Sequence, residues 1–249
     1  MMCDKSGAGG RYDRRMLPRR MPARALLAAL LAVTGVHLLA QLTGSDTVAA
    51  VTQVLLMPLL AGALWLETET PRGRLVTLTL LALGLSWLGD TAPRLASGDA
   101  GFLLMVGFFL LAQVAYIAAF LPYRARSVLH RRRPLLLAYV AAVAALVAAC
   151  AGGADALLGP VLVYGACLGT MAVLATGVNL PTAVGGALFL VSDGLIALEA
   201  FAEGVDLPAH GFWVMSTYVA AQLLIVAGVL REQDRHGARP TTTDAVRSR

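Results

Sequence analysis

Two aspartates lie in or beside apolar stretches of this chain, where a carboxyl group needs either a partner or a task. Asp193 lies near the middle of the apolar run Ala183–Phe201, and Asp90 ends the run that begins at Leu75. A charged side chain at the centre of a bilayer costs at least about 2.5–3.5 kcal/mol on insertion scales. Two carboxyl groups that share a poorly solvated pocket do not both ionise readily, so one can act as a general acid and the other as a base. We therefore predict that Asp90 and Asp193 are catalytic. The alternatives are a structural pin between helices for Asp193 and a loop or capping role for Asp90.

Six further polar side chains lie within or near the ends of such apolar runs. Several are three or four residues apart, a spacing that places two side chains on one face of a helix. Such pairs can form hydrogen bonds between helices or line a polar pocket, and the spacing alone leaves both possibilities open. We predict that these six residues bind substrate beside the two aspartates: Ser86, Gln113, Tyr116, Ser192, Tyr218 and Gln222.

The sequence lacks the motifs of several other kinds of site. The four histidines show no HxxxH or HExxH spacing and the three cysteines show no CxxC spacing, so we predict neither a metal site nor a cofactor. The segment Gly84–Gly89 is not the GxSxG element of serine hydrolases, and no phosphate loop or dinucleotide fingerprint is present. The net charge of +5 comes from arginines at the chain ends and in loops rather than on a surface stripe, so we expect no nucleic-acid partner.

The composition is that of a membrane protein, with 58% hydrophobic and 14% charged residues. Eight apolar runs approach or reach the length that crosses a bilayer as a helix, about 20 residues. We therefore predict an all-α fold, a polytopic membrane bundle of eight transmembrane helices that forms one domain at residues 25–230. The predicted spans are Ala25–Leu42, Val48–Leu66, Leu75–Gly89, Gly101–Leu121, Leu135–Cys150, Ala156–Thr176, Ala183–Phe201 and Phe212–Leu230.

The basic residues predict the orientation of these spans. With both termini in the cytoplasm, 19 of the 20 lysine and arginine residues fall on the cytoplasmic side, and Arg94 alone lies outside. Residues 1–24 and 231–249 are polar and arginine-containing, and we predict that they are disordered cytoplasmic tails. Lys5 is the one lysine among these 20 residues, a bias that together with abundant alanine is typical of GC-rich bacterial sequences. We therefore expect a multi-pass protein of a cell membrane, the bacterial inner membrane.

Several segments match, in order and spacing, the motifs of one known family. The segment Ala183–Phe201, with its core Gly-Ala-Leu-Phe-Leu-Val-Ser-Asp-Gly-Leu-Ile-Ala, resembles that family's signature. Ser86–Asp90 resembles its first acidic motif and Gly107–Phe120 its fourth-span motif. Further matches lie at Leu56–Leu60, Tyr164–Ala172 and Tyr218–Leu224. On these segments, which together cover roughly residues 25–230, the chain is identified as a member of the YhhN family of lysoplasmalogenase-like membrane proteins.

The resemblance implies an eight-span hydrolase that cleaves the vinyl ether bond of lysoplasmalogens and releases a fatty aldehyde. It implies catalysis by the two acidic motifs, here Asp90 and Asp193, with a lysophospholipid as the substrate and membrane lipids as the surroundings. Two positions depart from the family pattern. Gln113 stands where a histidine is common, and Gln53 and Val54 stand where the second span often carries Lys-Pro.

Vinyl ether hydrolysis begins with protonation of a carbon atom, which requires an acid and a nearby negative charge. We assign Asp193 as the acid and Asp90 as the group that stabilises the cation or orients water, although the two roles could be exchanged. Two alternatives of other classes stay open. One is a proton-coupled small carrier that uses the aspartates as a relay, and the other is a catalytically inactive lipid-binding member of the family.

Overall fold

The computed structural model describes residues 17–96, 99–154 and 157–237, and these form helices and short connections without a strand. Eight of the helices are long and apolar enough to cross a membrane, which confirms the predicted bundle of eight spans. In chain order the helices are α1 (Leu17–Thr43), α2 (Asp46–Glu67), α3 (Arg74–Thr91), α4 (Asp99–Phe120), the one-turn α5 (Val128–Arg131), α6 (Arg133–Ala154), α7 (Leu158–Ala175), α8 (Leu180–Phe201) and α9 (His210–Gly237).

Several helices extend beyond the apolar runs that predict them. α1 begins at Leu17, before the first predicted span, and α9 continues past Leu230 to Gly237. Leucine, arginine, methionine and glutamine are strong helix formers, so the backbone stays helical where the apolar pattern ends. α4 likewise continues into a 3-10 segment (Leu121–Arg126), where the apolar pattern predicts a loop, and the extended backbone of Ser127 separates this segment from α5. Most of the predicted tails, residues 1–16 and 238–249, lies outside the described residues, and their disorder stays a prediction.

Helix α8, which carries Asp193, packs closely between α7 and α9 because two glycines face its neighbours. A Cβ atom at Gly185 would lie 2.8 Å from the carbonyl oxygen of Ala221 on α9. A Cβ atom at Gly186 would lie 2.9 Å from the Cβ of Ala175 on α7. Small residues are what allow membrane helices to approach at this distance. The position of Asp193 is therefore fixed by contacts on two sides of its helix.

Asn179 fixes the start of α8. Its side-chain oxygen accepts a hydrogen bond from the backbone N–H of Thr182 at 3.2 Å, which is the usual geometry of an N-cap. Its side-chain nitrogen donates to the carbonyl oxygen of Gly228 on α9 at 2.7 Å. One asparagine thus caps α8 and joins it to α9.

Helix α2 contains Pro58, whose missing N–H leaves the carbonyl oxygen of Val54 without its usual partner within the helix. The indole nitrogen of Trp87 on α3 donates to this oxygen at 3.0 Å. Membrane helices tolerate proline where a neighbour satisfies the freed carbonyl group in this way. The contact holds α2 against α3 close to Asp90.

Aromatic side chains fill the centre of the bundle. The rings of Phe109, Phe189 and Tyr218 contact one another edge to face, with centroid distances of 5.7–6.4 Å. Tyr116 packs against Phe189 from the other side, at 6.4 Å. These residues come from α4, α8 and α9, so the cluster joins the helices that surround the two aspartates. The close packing of these rings restricts the relative movement of α4, α8 and α9.

Candidate active site

A cavity of about 330 Å³ lies at one end of the bundle, which we call the cavity end. This is the end where α1, α3 and α8 finish and where α2, α4 and α9 begin. Asp90 and Asp193 both line the cavity, and they are 8% and 6% exposed. The structure therefore brings two aspartates from distant parts of the sequence into the lining of one cavity.

Asp90, in the last turn of α3, accepts hydrogen bonds on both carboxyl oxygens. The hydroxyl of Tyr218 on α9 donates to Oδ2 at 2.9 Å, and the side-chain nitrogen of Gln53 on α2 donates to Oδ1 at 3.3 Å. The side-chain oxygen of Gln53 in turn accepts a hydrogen bond of 2.7 Å from the guanidinium group of Arg94. Two helices, α2 and α9, therefore hold this carboxyl group in one orientation, and the positive charge of Arg94 lies at the end of the chain of hydrogen bonds.

Asp193, on α8, has a different environment. The hydroxyl of Tyr164 on α7 donates to Oδ2 of Asp193, with an oxygen–oxygen distance of 2.5 Å. Gln113 on α4 lies close enough to interact with both Tyr164 and Asp193, but neither atom of its carboxamide makes a hydrogen bond of normal geometry. One strong hydrogen bond thus orients the Asp193 carboxyl group.

A second, narrow cavity of about 70 Å³ adjoins the first and is lined almost entirely by apolar side chains. It lies between α4, α6, α7 and α8, and four residues line both cavities: Met105, Phe109, Asp193 and Ile196. Helix α6 forms one wall through Leu146 and Val147, and most of the outer face of this helix is exposed in the bundle. We call the first cavity, which both aspartates line, the polar cavity and the second the apolar groove. Asp193 lines both and therefore lies at their boundary.

Two of the six residues predicted to bind substrate line the polar cavity. Tyr218 does so and also donates to Asp90. Ser192 lines it as well, but its hydroxyl donates to the backbone oxygen of Val214 on α9 at 3.0 Å. The side chain of Ser192 therefore joins two helices and has little capacity left for a ligand.

The other four predicted residues are fully buried and do not line either cavity: Ser86, Gln113, Tyr116 and Gln222. The hydroxyl of Tyr116 donates to the side-chain oxygen of Gln222 at 2.5 Å, and the nitrogen of Gln222 donates to Ser86 at 3.2 Å. This network crosses from α4 to α9 to α3 behind the cavity. Ser86, Tyr116 and Gln222 thus form interhelical hydrogen bonds, one of the two possibilities that the spacing allowed. Gln113 takes no part in this network, and a role of these residues in substrate binding stays a prediction.

The sequence patterns did not identify several polar residues of the site. Tyr164 is 29 residues from Asp193 in the chain, and no spacing rule connects the two. Gln53 drew attention only as a departure from the family pattern, and Arg94 only through its charge. His210 and Gln41 also line the cavity. A polar residue within an otherwise apolar span is the one signal that could have singled out Gln53 and Tyr164.

Comparisons with known proteins agree with the motifs found in the sequence. The model of the YhhN family matches residues 48–229, a range that includes both aspartates and most of the chain. Two proteins named lysoplasmalogenase, from Mycobacterium bovis (strain ATCC BAA-935 / AF2122/97) and Mycobacterium tuberculosis (strain CDC 1551 / Oshkosh), are similar to the chain. Each is 35% identical to it over 185 residues, which cover 69% of this chain and 68% of the relative. No solved structure matches the chain significantly. The family resemblance is confirmed, and this multi-pass membrane protein belongs to the YhhN family.

Proposed function

We propose that this protein is a membrane hydrolase that cleaves the vinyl ether bond of lysoplasmalogen-type lysophospholipids and releases a fatty aldehyde. The observation that carries the proposal is that Asp90 and Asp193 line one cavity, beside an apolar groove. The name lysoplasmalogenase, borne by the two mycobacterial relatives, supports the ether-lipid substrate. The eight helices that are long and apolar enough to cross a membrane are consistent with a lipid substrate.

The reaction needs little more than two carboxyl groups and water. A carboxylic acid donates its proton to the vinyl carbon remote from the ether oxygen, and the carbon–carbon double bond supplies the electron pair. The resulting oxocarbenium ion is captured by water at the carbon bonded to oxygen, and this water gives up a proton to a carboxylate. The hemiacetal hydroxyl then gives its proton to the first carboxylate, while the second carboxyl group returns its proton to the glycerol oxygen. The bond between the carbon and the glycerol oxygen breaks, the glycerol oxygen leaves as a hydroxyl group, and the aldehyde is released. Each proton that is taken up is returned, so the two carboxyl groups end as they began.

The surroundings of the two aspartates favour a division of roles. Asp193 lies where the apolar groove meets the polar cavity, which suits the group that protonates the vinyl carbon. Asp90 accepts hydrogen bonds on both oxygens from Tyr218 and Gln53, which suits a carboxylate that stabilises the cation and orients water. Gln113 cannot transfer a proton, so in this proposal proton transfer rests on the two aspartates.

The two cavities also suggest how the substrate lies. Its hydrocarbon chain would enter the apolar groove between α4, α6, α7 and α8, and its glycerol and head group would occupy the polar cavity. The vinyl ether, which links these two parts of the lipid, then falls beside Asp193. The amphipathic shape of a lysophospholipid therefore matches the change from apolar to polar lining at this residue.

Products of the purified protein test the proposal. We expect 1-alkenyl lysophospholipid to yield a fatty aldehyde by mass spectrometry, while the 1-alkyl analogue stays intact because a saturated ether cannot be protonated at carbon. Fatty acid from the 1-acyl analogue would contradict the assigned bond. Bound lipid without any product would instead favour the lipid-binding alternative, and a lipid-independent proton flux in liposomes would favour the carrier.

We further propose that both termini are cytoplasmic and that the cavity end faces outward in a bacterial inner membrane. The support is the arginine bias, since Arg94 alone among the arginines of the described helices and turns falls at the cavity end. A fluorescent protein fused to the C-terminus should be bright, while alkaline phosphatase fused at the same point should be inactive. The reverse pattern would contradict this orientation.

A further inference from the structure

We propose that Arg94 binds the phosphate of the substrate head group at the mouth of the polar cavity. This inference rests on the proposed function and names the part of the lipid that the cavity recognises. Arg94 lies in the 3-10 turn Ala92–Leu95, directly after the helix that carries Asp90. It lines the cavity, and its side chain is exposed at the cavity end.

Arg94 has donors to spare. One nitrogen of its guanidinium group donates to Gln53 at 2.7 Å, and among the described residues it forms no ion pair with a carboxylate. A guanidinium group carries five N–H donors in a planar fork, so at least one edge is free for a ligand. This fork matches the oxygen atoms of a phosphate, which it binds through two parallel charge-assisted hydrogen bonds.

The other basic residue of the cavity is already committed. Nδ1 of His210 lies 2.8 Å from a carboxylate oxygen of Glu199, and Nε2 lies 3.0 Å from the backbone oxygen of Leu195. Both ring nitrogens therefore have acceptors of their own. Arg94 is left as the cation of the described cavity lining that can receive an anionic group.

The spacing of Arg94 from Asp90 fits the proposed substrate. The guanidinium group of Arg94 and the carboxyl group of Asp90 contact the two ends of one carboxamide, that of Gln53, at 2.7 and 3.3 Å, so a few ångströms separate them. In a lysophospholipid, three glycerol carbons and one ester oxygen separate the ether oxygen from phosphorus, a span of the same order. A phosphate bound at Arg94 would thus hold the vinyl ether at the level of the aspartates. Gln53 contacts both Arg94 and Asp90, so it fixes their relative position.

Binding of two non-hydrolysable ligands to the purified protein in detergent micelles tests this inference. One ligand is a 1-O-alkyl-glycerophosphoethanolamine, and the other is the corresponding 1-O-alkylglycerol, which lacks the phosphate. We expect Arg94→Gln to weaken binding of the phosphate ligand about tenfold or more and to leave the alkylglycerol within about twofold. Arg94→Lys should restore part of the loss, because a point charge replaces the fork. The control is Arg74→Gln, which changes an exposed arginine at the start of α3, at the end of the bundle opposite the cavity. It should change neither affinity.

The outcomes separate this inference from the proposed function. Equal affinities of the wild-type protein for the two ligands, or an equal loss of both in Arg94→Gln, would overturn the phosphate site. Because the ligands are not hydrolysed, phosphate discrimination that depends on Arg94 would stand even if no aldehyde were released. If hydrolysis occurs, Arg94→Gln should raise KM for the alkenyl lysophospholipid by a larger factor than it lowers kcat, because Gln53 and Tyr218 still donate to Asp90. A fall in kcat alone would assign Arg94 to electrostatics at the aspartates instead.

Discussion

Asp90 and Asp193 line the same cavity, but the protein holds them in different ways. Asp90 accepts a hydrogen bond on each oxygen, from Gln53 on α2 and Tyr218 on α9. Asp193 is oriented by Tyr164 on α7 and borders the apolar groove. Asp90 thus has two donors and a nearby guanidinium group, while Asp193 has one strong donor and an apolar neighbour. The difference suggests that a pair of identical side chains can be given separate tasks by the helices around them.

Isosteric removal of each carboxyl group is the most severe test of this comparison. We expect Asp193→Asn to lower kcat about 10²–10⁴-fold, since an amide cannot donate the proton. Asp90→Asn should lower it about 10²–10³-fold, because the negative charge beside the cation is lost. Aldehyde release from an alkenyl lysophospholipid measures both. Glu203→Gln, an exposed change in the turn after α8, is the control. A larger loss in Asp90→Asn than in Asp193→Asn would exchange the two roles.

Removal of the tyrosine hydroxyls tests whether Asp193, with one hydrogen-bond donor, depends on it more than Asp90 depends on either of its two donors. Tyr164→Phe should lower kcat roughly tenfold, because it removes the hydrogen bond that orients Asp193. Tyr218→Phe should have an effect of only about threefold, since Gln53 still holds Asp90. Adding Gln53→Ala to Tyr218→Phe should bring the loss to about that of Tyr164→Phe. Tyr139→Phe, on α6 and away from both aspartates, is the matched control. Equal effects of the two single changes would mean that the second donor to Asp90 is without consequence.

Narrowing of the apolar groove tests whether the hydrocarbon chain of the substrate binds in this groove, next to Asp193. Ala197 lines the groove, whereas Ala200 on the same helix is exposed. We expect Ala197→Leu to raise KM about fivefold for a lysophospholipid with a long alkenyl chain, and Ala200→Leu to leave KM unchanged. The effect should shrink for substrates with short chains. A rise in KM that does not depend on the length of the alkenyl chain would mean that this hydrocarbon chain binds outside the groove.

The network behind the cavity should affect stability more than catalysis. Tyr116→Phe removes the hydrogen bond to Gln222 and should lower the free energy of unfolding by about 0.6 kcal/mol, the average for hydrogen bonds between membrane helices, and by no more than about 1.7 kcal/mol. The readout is thermal unfolding in detergent, with kcat expected to stay within about twofold. A large rise in KM without loss of stability would return Tyr116 to the substrate site.

The sequence was enough to predict the eight spans, and it singled out the two aspartates that line one cavity, whose catalytic role stays a prediction. Each crossing helix needs a long apolar run, and a carboxyl group within one is conspicuous because its burial is costly. The starts and ends of α1 and α9 were less predictable, since helix-forming residues continue the helix after the apolar pattern has ended. Apolarity therefore identifies a span, but it does not set the ends of its helix.

The contacts between helices could not be predicted from one chain. Tyr116 shares a helix face with Gln113, yet its hydroxyl reaches across to Gln222. Tyr164 and Gln53 carry no spacing signal toward the aspartates that they contact, because those contacts depend on how spans from distant parts of the sequence pack. The same limit explains why two predicted substrate residues line the cavity while four lie behind it.

The bond between Trp87 and the carbonyl oxygen of Val54 makes positions 58 and 87 energetically dependent on each other. With alanine in place of Pro58, the restored N–H would compete for that oxygen, and the indole would lose the partner that the proline had left available. In a double-mutant cycle, the changes at Pro58 and Trp87 should therefore not add. The carbonyl group that Pro58 leaves without a partner in α2 thus binds α3. Gln53 on α2 contacts Asp90 on α3 close to this hydrogen bond.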